Sequence, residues 1–127
     1  MEPTSVGKYG ELLAYKRLKK LSTKVQSQVP IYHGALTRTG KAACYKIDFV
    51  TDEGVWEIKT AKGSGSPEKL GDAVHRLGIN GEKLGKQAFL VVNGAPLEHH
   101  VKNDPAFLRA LSQEPRVTVL TFKEFNQ

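Results

Sequence analysis

The spacing of apolar residues changes several times along the chain, and each change marks an element. From Val6 to Leu21 the residues Val6, Tyr9, Gly10, Leu13, Ala14 and Leu21 fall on one side of a helix that Thr4 or Ser5 is placed to cap. Val29-Pro30-Ile31-Tyr32 reads as a short strand, and Thr37 to Lys41 as a polar connection. Between Tyr45 and Lys59 the period falls to two on either side of Thr51-Asp52-Glu53-Gly54, which predicts an antiparallel hairpin. After a flexible loop from Ala61 to Ser66, Ser66-Pro67-Glu68 supplies a cap, a first-turn proline and a first-turn acid. Leu70, Ala73, Val74 and Leu77 then keep the spacing of a core-facing helix. Gly78 to Lys86 reads as a glycine-rich basic loop, and Gln87 to Val92 as a buried strand. Asp104-Pro105 opens a helix carrying Phe107, Leu108 and Leu111. Arg116 to Thr121 forms a last strand, and Lys123 to Phe125 a closing turn. The predicted order is α-β-β-β-α-β-α-β, an α/β domain spanning 1–127. An antiparallel hairpin leads into helix-linked parallel strands, giving a mixed central sheet flanked by helices on both faces.

The hairpin concentrates the chemistry. With 51–54 as the turn, Val50 faces Val55, Phe49 faces Trp56, Asp48 faces Glu57 and Ile47 faces Ile58. Alternation sends Ile47, Phe49, Trp56 and Ile58 to one apolar face, and Asp48, Glu57 and Lys59 to the other. Opposed like charges in an antiparallel pair are destabilising unless neutralised. A divalent cation would neutralise them, since Mg²⁺ takes hard oxygen ligands, commonly one or two carboxylates with several waters. Lys59 is placed to hold a phosphate or a water beside such an ion. The simpler alternative is surface pairing of the two acids with Lys46 and Lys59, worth about 0–1 kcal/mol.

Charge and composition narrow the partners. The 19 Lys and Arg against 13 acids leave a formal charge of +6, which favours a polyanion. Basic residues flank the acidic patch in sequence: Lys8, Lys16, Arg17, Lys19 and Lys20 on the first helix, then Lys62, Lys69, Arg76, Lys83 and Lys86 after the hairpin. This is the distribution that a phosphate-backbone track needs. The single Cys44 has no intrachain disulfide partner and reads as a small buried hydrophobe. Neither a secretory leader nor an apolar span of membrane length is visible, so an intracellular protein without membrane contact is expected. His33, His75, His99 and His100 lack zinc spacing with Cys44, and His99-His100 reads as surface, while His75 and Arg76 could each touch a phosphate. Gly63-Ser64-Gly65 lacks the lysine-serine ending of a P-loop, so no nucleotide cofactor is expected. Glu11 lies at the edge of the first helix's apolar stripe, with uncharged Ala14, Tyr15 and Leu18 as helical neighbours.

Asp48 followed by Glu57-Ile58-Lys59, within this order of elements, resembles the PD-(D/E)xK nuclease superfamily with its restriction-endonuclease-like αβββαβ core, here with a C-terminal αβ extension. Gly7-Lys8-Tyr9-Gly10-Glu11 and the small size are similar to archaeal Holliday junction resolvases and their viral relatives. The resemblance implies a Mg²⁺- or Mn²⁺-dependent DNA endonuclease whose products carry 5′-phosphates. Asp48 and Glu57 would be metal ligands together with the Ile58 backbone carbonyl, Glu11 would join them, and Lys59 would be the catalytic cation. Lys8, Lys62, Lys69, His75, Arg76, Lys83 and Lys86 are candidate DNA contacts. Two departures are visible: Ile47 stands where a proline is usual, and Glu68, Lys69, Asp72, His75 and Arg76 stand where many members place a glutamine. Cutting both strands of a duplex or junction implies a homodimer. The alternatives are a sequence-specific restriction or homing-type endonuclease and a noncatalytic nucleic-acid-binding module.

Overall fold

The computed structural model describes residues 3–22, 24–36, 42–61 and 67–127, with side chains described for 9–22, 24–30, 46–61 and 70–127. The elements run α1 (Pro3–Leu21), β1 (Gln26–Leu36), β2 (Ala42–Val50), β3 (Gly54–Thr60), α2 (Pro67–Leu84), β4 (Gln87–Asn93), α3 (Ala95–Asn103), α4 (Pro105–Ser112), β5 (Val117–Thr121) and α5 (Phe122–Phe125). The strands lie in chain order across one five-stranded sheet. β1, β2 and β3 pair antiparallel, while β3, β4 and β5 pair parallel. The mixed α/β sheet expected from the hydrophobic pattern is present.

Parallel neighbours need crossovers, and successive right-handed crossovers that step the same way across a sheet place their helices on one face. α2, α3 and α4 do share a face. Leu70, Val74, Leu77, Leu97, Val101 and Phe107 pack there against Val55, Leu90 and Val92. The opposite face carries α1 and α5, with Ala14, Leu18 and Phe125 on Phe49, Trp56, Ile58 and Val91. β4 shows why its run is continuously apolar: Ala88, Leu90 and Val92 serve one layer and Val91 the other, and all are fully buried.

The first helix begins at Pro3, so Thr4 and Ser5 lie within it rather than cap it, and its Tyr9 and Leu21 are 63% and 51% exposed instead of core-facing. Three further expectations need correction. Gly78 to Lys86 is not a loop, because α2 continues to Leu84. Gly81 serves close packing, since a Cβ there would lie 2.8 Å from the Lys86 carbonyl, whereas one on Gly78 would meet only the movable carboxylate end of Glu114. The helix ends at Gly85, with φ of 65°, where the Lys86 N–H reaches back to the Gly81 carbonyl at 2.8 Å. Second, residues 95–103 form α3, with Leu97 and Val101 buried one turn apart. His100 is accordingly not a surface residue: its side chain is 14% exposed, and its Nε2 lies 3.3 Å from Asp104 Oδ2 without hydrogen-bond alignment. Third, Ile47 packs in the α2-side layer rather than with Phe49, Trp56 and Ile58. β1 is also longer than the four residues expected. The Asp104 cap holds as expected, its carboxylate accepting the Phe107 N–H at 2.9 Å. The polar connection at 37–41 and the side chains of Cys44 and His33 lie outside the described residues.

Candidate active site

The hairpin leaves its turn in the register counted from sequence, Val50 against Val55 and Phe49 against Trp56. The Thr51 N–H donates to the Gly54 carbonyl at 2.9 Å. The buried Thr51 Oγ1 accepts the Trp56 indole N–H at 3.0 Å. Trp56 stacks on Phe89 with ring centroids 4.1 Å apart, so the start of β3 is pinned by both faces of its largest side chain's environment, polar and aromatic.

Past Trp56 the strands part. Asp48 and Glu57, and Ile47 and Ile58, do not continue the backbone pairing that the count predicted. Instead the Asp48 side chain fills the gap, its Oδ2 accepting the Ile58 N–H at 2.8 Å. The other edge of β2 is also distorted at this level. Gln28, which the flanking pairs Ser27–Phe49 and Val29–Ile47 place across from Asp48, has φ of 53°. A non-glycine residue there costs energy. The break in regularity around Asp48 accounts for Ile47 turning to the α2-side layer.

Around Asp48 the structure gathers three of the expected residues and one more. Glu57 is 16% exposed, and its Oε1 lies 3.5 Å from Lys59 Nζ and 3.6 Å from Arg76 Nη2. Arg76, read from sequence as a phosphate contact, is thus a partner of Glu57, delivered from α2. Burial pushes the Asp48 carboxyl up to about 6; the Ile58 N–H opposes this, Glu57 and Glu11 add to it, and Lys59 opposes it. Glu11 acts on Asp48 because α1 sits very close to the end of β3. Gly10 allows this approach, since a Cβ there would fall 2.3 Å from Thr60 Oγ1.

The donors available for a cation are the Asp48 and Glu57 carboxylates, with Glu11 nearby. In an extended strand a residue's N–H and C=O point to the same side, so the Ile58 carbonyl faces the gap its N–H faces. Among the described residues no group of three His, Cys, Asp or Glu side chains converges closely enough to hold a metal by itself. This oxygen set, with burial and carboxylate repulsion raising Asp48, suits a hard cation that keeps much of its water.

Other candidates lie elsewhere. His75 is 69% exposed and turned to Glu114, 3.1 Å away. Lys83 is exposed near the end of α2, and Lys86 Nζ donates to the Asp52 carbonyl at 3.2 Å, at the turn end of the hairpin. Lys62 and the side chains of Lys8 and Lys69 lie outside the described residues. The distortion at Gln28 has no signal in the sequence, and Arg76 has one only as a basic residue on the helix after the hairpin. The chain matches no family model, no curated protein and no solved structure.

Proposed function

We propose that the protein is a Mg²⁺- or Mn²⁺-dependent endodeoxyribonuclease of the PD-(D/E)xK kind, selective for DNA structure in the manner of a junction resolvase. The observation that carries this reading is the Asp48 carboxylate, half-buried in the gap between β2 and β3 beside Glu57 and Glu11, with Lys59 two residues beyond Glu57 on the same strand. The order α1-β1-β2-β3-α2-β4, with an antiparallel hairpin followed by a parallel strand, supports a restriction-endonuclease-like core, to which α3, α4, β5 and α5 are the extension.

Asp48 and Glu57 would hold the cation, with the Ile58 carbonyl and Glu11 completing the oxygen set. When bound, the ion would supply Lewis acidity and positive charge at the phosphoryl group. Lys59 orients the attacking water and stabilises negative charge as the phosphodiester is cleaved in line, leaving a 5′-phosphate. Arg76 balances Glu57 and stands close enough to meet the same phosphate. Two copies would be required to cut both strands, and an intracellular setting fits a DNA substrate. No helix among the described residues is long and apolar enough to cross a membrane.

A second reading is a noncatalytic nucleic-acid-binding module, favoured by the fact that Glu57 is already balanced by Lys59 and Arg76. Labelled four-way junction, duplex, flap and single-stranded DNA, each with and without Mg²⁺ and alongside Glu57→Gln, separate the two. Metal-dependent nicking of the junction that the variant loses supports a resolvase, and cutting of other substrates supports a different nuclease. Tight binding without cleavage in Mg²⁺ and Mn²⁺ supports the binding module.

A further inference from the structure

The outward side of α1 is largely exposed among the described residues and has an unusual makeup. Tyr9, Leu12 and Tyr15 follow one another at three-residue spacing and are 63%, 50% and 37% exposed. Lys16, Lys19 and Lys20 are exposed among them, and no acid is. Glu11 borders this face and acts electrostatically on Asp48, so the face starts at the candidate active site. From Glu11 the helical row runs through Tyr15 to Lys19, about 12 Å along the axis. Tyr15 is braced by Phe49, ring centroids 6.1 Å apart, and Lys19 Nζ stands 6.0 Å from the Tyr15 ring.

The row ends in a cleft of about 460 Å³, where the end of α1, the start of β1 and the hairpin turn meet. Lys19, Lys24 and Lys86 line it, against the single acid Asp52. Three ammonium groups around a cleft suit a phosphate, and exposed tyrosines interleaved with lysines suit unpaired bases, which alone offer open faces for stacking. Twelve ångströms is the rise of three to four stacked nucleotides at about 3.4 Å each.

We propose that this face and cleft bind a single-stranded segment of the substrate, with bases stacked on Tyr9 and Tyr15 and a backbone phosphate among Lys19, Lys24 and Lys86. The inference rests on the nuclease reading for what happens at Asp48, and it names the substrate class as nucleic acid carrying an unpaired strand. Charge complementarity decides the occupant: an apolar row alone would suit a second copy of the chain, but that copy would bring the same lysines against these.

The test is fluorescence anisotropy of the full chain in EDTA, where no cutting occurs, with a labelled single-stranded 12-mer, the matching duplex and polyglutamate of equal charge. The single strand is expected to bind at least tenfold tighter than either competitor. Tyr9→Ala is expected to weaken it roughly 5- to 100-fold while Tyr9→Phe retains affinity. Lys19→Ala with Lys24→Ala is expected to lower the slope of log affinity against log salt by about 1.4. Melting curves confirm that each variant folds. Preference for duplex, equal binding of polyglutamate, unchanged affinity in Tyr9→Ala, or a dimer that Leu12→Asp dissociates without altering single-strand affinity would each overturn the proposal. Single-strand binding as expected, with no cleavage in any metal, would instead reject the nuclease reading and leave this site standing.

Discussion

The Asp48 carboxylate takes the place of a rung in the β2–β3 ladder, holding the Ile58 N–H at 2.8 Å where backbone pairing stops. That position brings a carboxylate out of water beside Glu57 and Glu11, and the cost sets the pH dependence of the fold.

The folded chain keeps the Asp48 proton up to about pH 6, whereas the ordinary carboxyl loses it near 3.8. Between those values the folded state binds more protons than the unfolded state, so stability falls as pH rises. The stabilisation is fully present below about pH 4 and lost above about 6, with a size on the order of 3 kcal/mol. Asp48→Asn keeps an acceptor for the Ile58 N–H without the charge. In EDTA at pH 7.5 it is expected to melt several degrees above the wild type, with the difference closing by pH 4. Mg²⁺ is expected to raise the melting temperature of the wild type and leave that of Asp48→Asn unchanged. Melts across pH 4–8 decide this. A variant less stable at pH 7.5 would mean that the Asp48 charge is already compensated.

Lys59 and Arg76 both stand on Glu57 Oε1, at 3.5 and 3.6 Å, and they compete with any cation for it. On the nuclease reading, removing Arg76 would therefore favour metal binding. Arg76→Gln is expected to lower the Mg²⁺ concentration for half-maximal cleavage about fivefold, the equivalent of ~1 kcal/mol for a partly exposed pair. On the same reading, Lys59→Ala is expected to reduce turnover by about 10²-fold or more with substrate affinity retained, because Lys59 would support the reacting group as well as Glu57. Metal titration of single-turnover rates separates the two effects. Equal losses in both variants would show that the two cations serve Glu57 alone.

Much of this arrangement is legible in the sequence because period-two alternation and turn length fix register near a hairpin. Val50–Val55 and Phe49–Trp56 pair as counted. The count fails at Asp48, where a side chain replaces backbone pairing, a substitution that alternation cannot signal. The Gly78–Lys86 error has another cause. Glycine-rich stretches suggest a breaker, but Gly78 and Gly81 are helical positions, and at Gly81 the approach of the Lys86 carbonyl, beyond the helix end, leaves no room for a Cβ. Only Gly85, at positive φ, has the role that composition suggested. Arg76 was visible as a basic residue near the site, but its pairing with Glu57 depends on how α2 crosses the sheet.

Gln28 bears on how rigidly Asp48 is held. Its φ of 53° lies in the left-handed region, which glycine occupies freely and β-branched residues avoid. Gln28→Gly is expected to be neutral or to stabilise by up to about 1 kcal/mol, and Gln28→Val to destabilise by about 1–2 kcal/mol. Urea denaturation measures both. A valine tolerated without loss would mean that β1 relaxes to regular pairing at this point.

Gly10 couples the fold to the site through one contact. A Cβ there would fall 2.3 Å from Thr60 Oγ1, closer than side chains approach, and that hydroxyl is buried on a β-branched residue with little room to move. Alanine would ordinarily stabilise a helix relative to glycine by roughly 1 kcal/mol. At this position Gly10→Ala is expected to destabilise by about 1–3 kcal/mol, because α1 must lift from the end of β3. The lift would also carry Glu11 away from Asp48. Gly10→Ala is therefore expected to lower the Asp48 titration modestly from about 6, since burial and Glu57 raise it more than Glu11 does, a change that NMR titration of the carboxyl carbon can follow. Restoring space with Thr60→Ala in the same chain should return both stability and titration toward the wild type. Failure of that rescue would place the strain somewhere other than the α1–β3 contact.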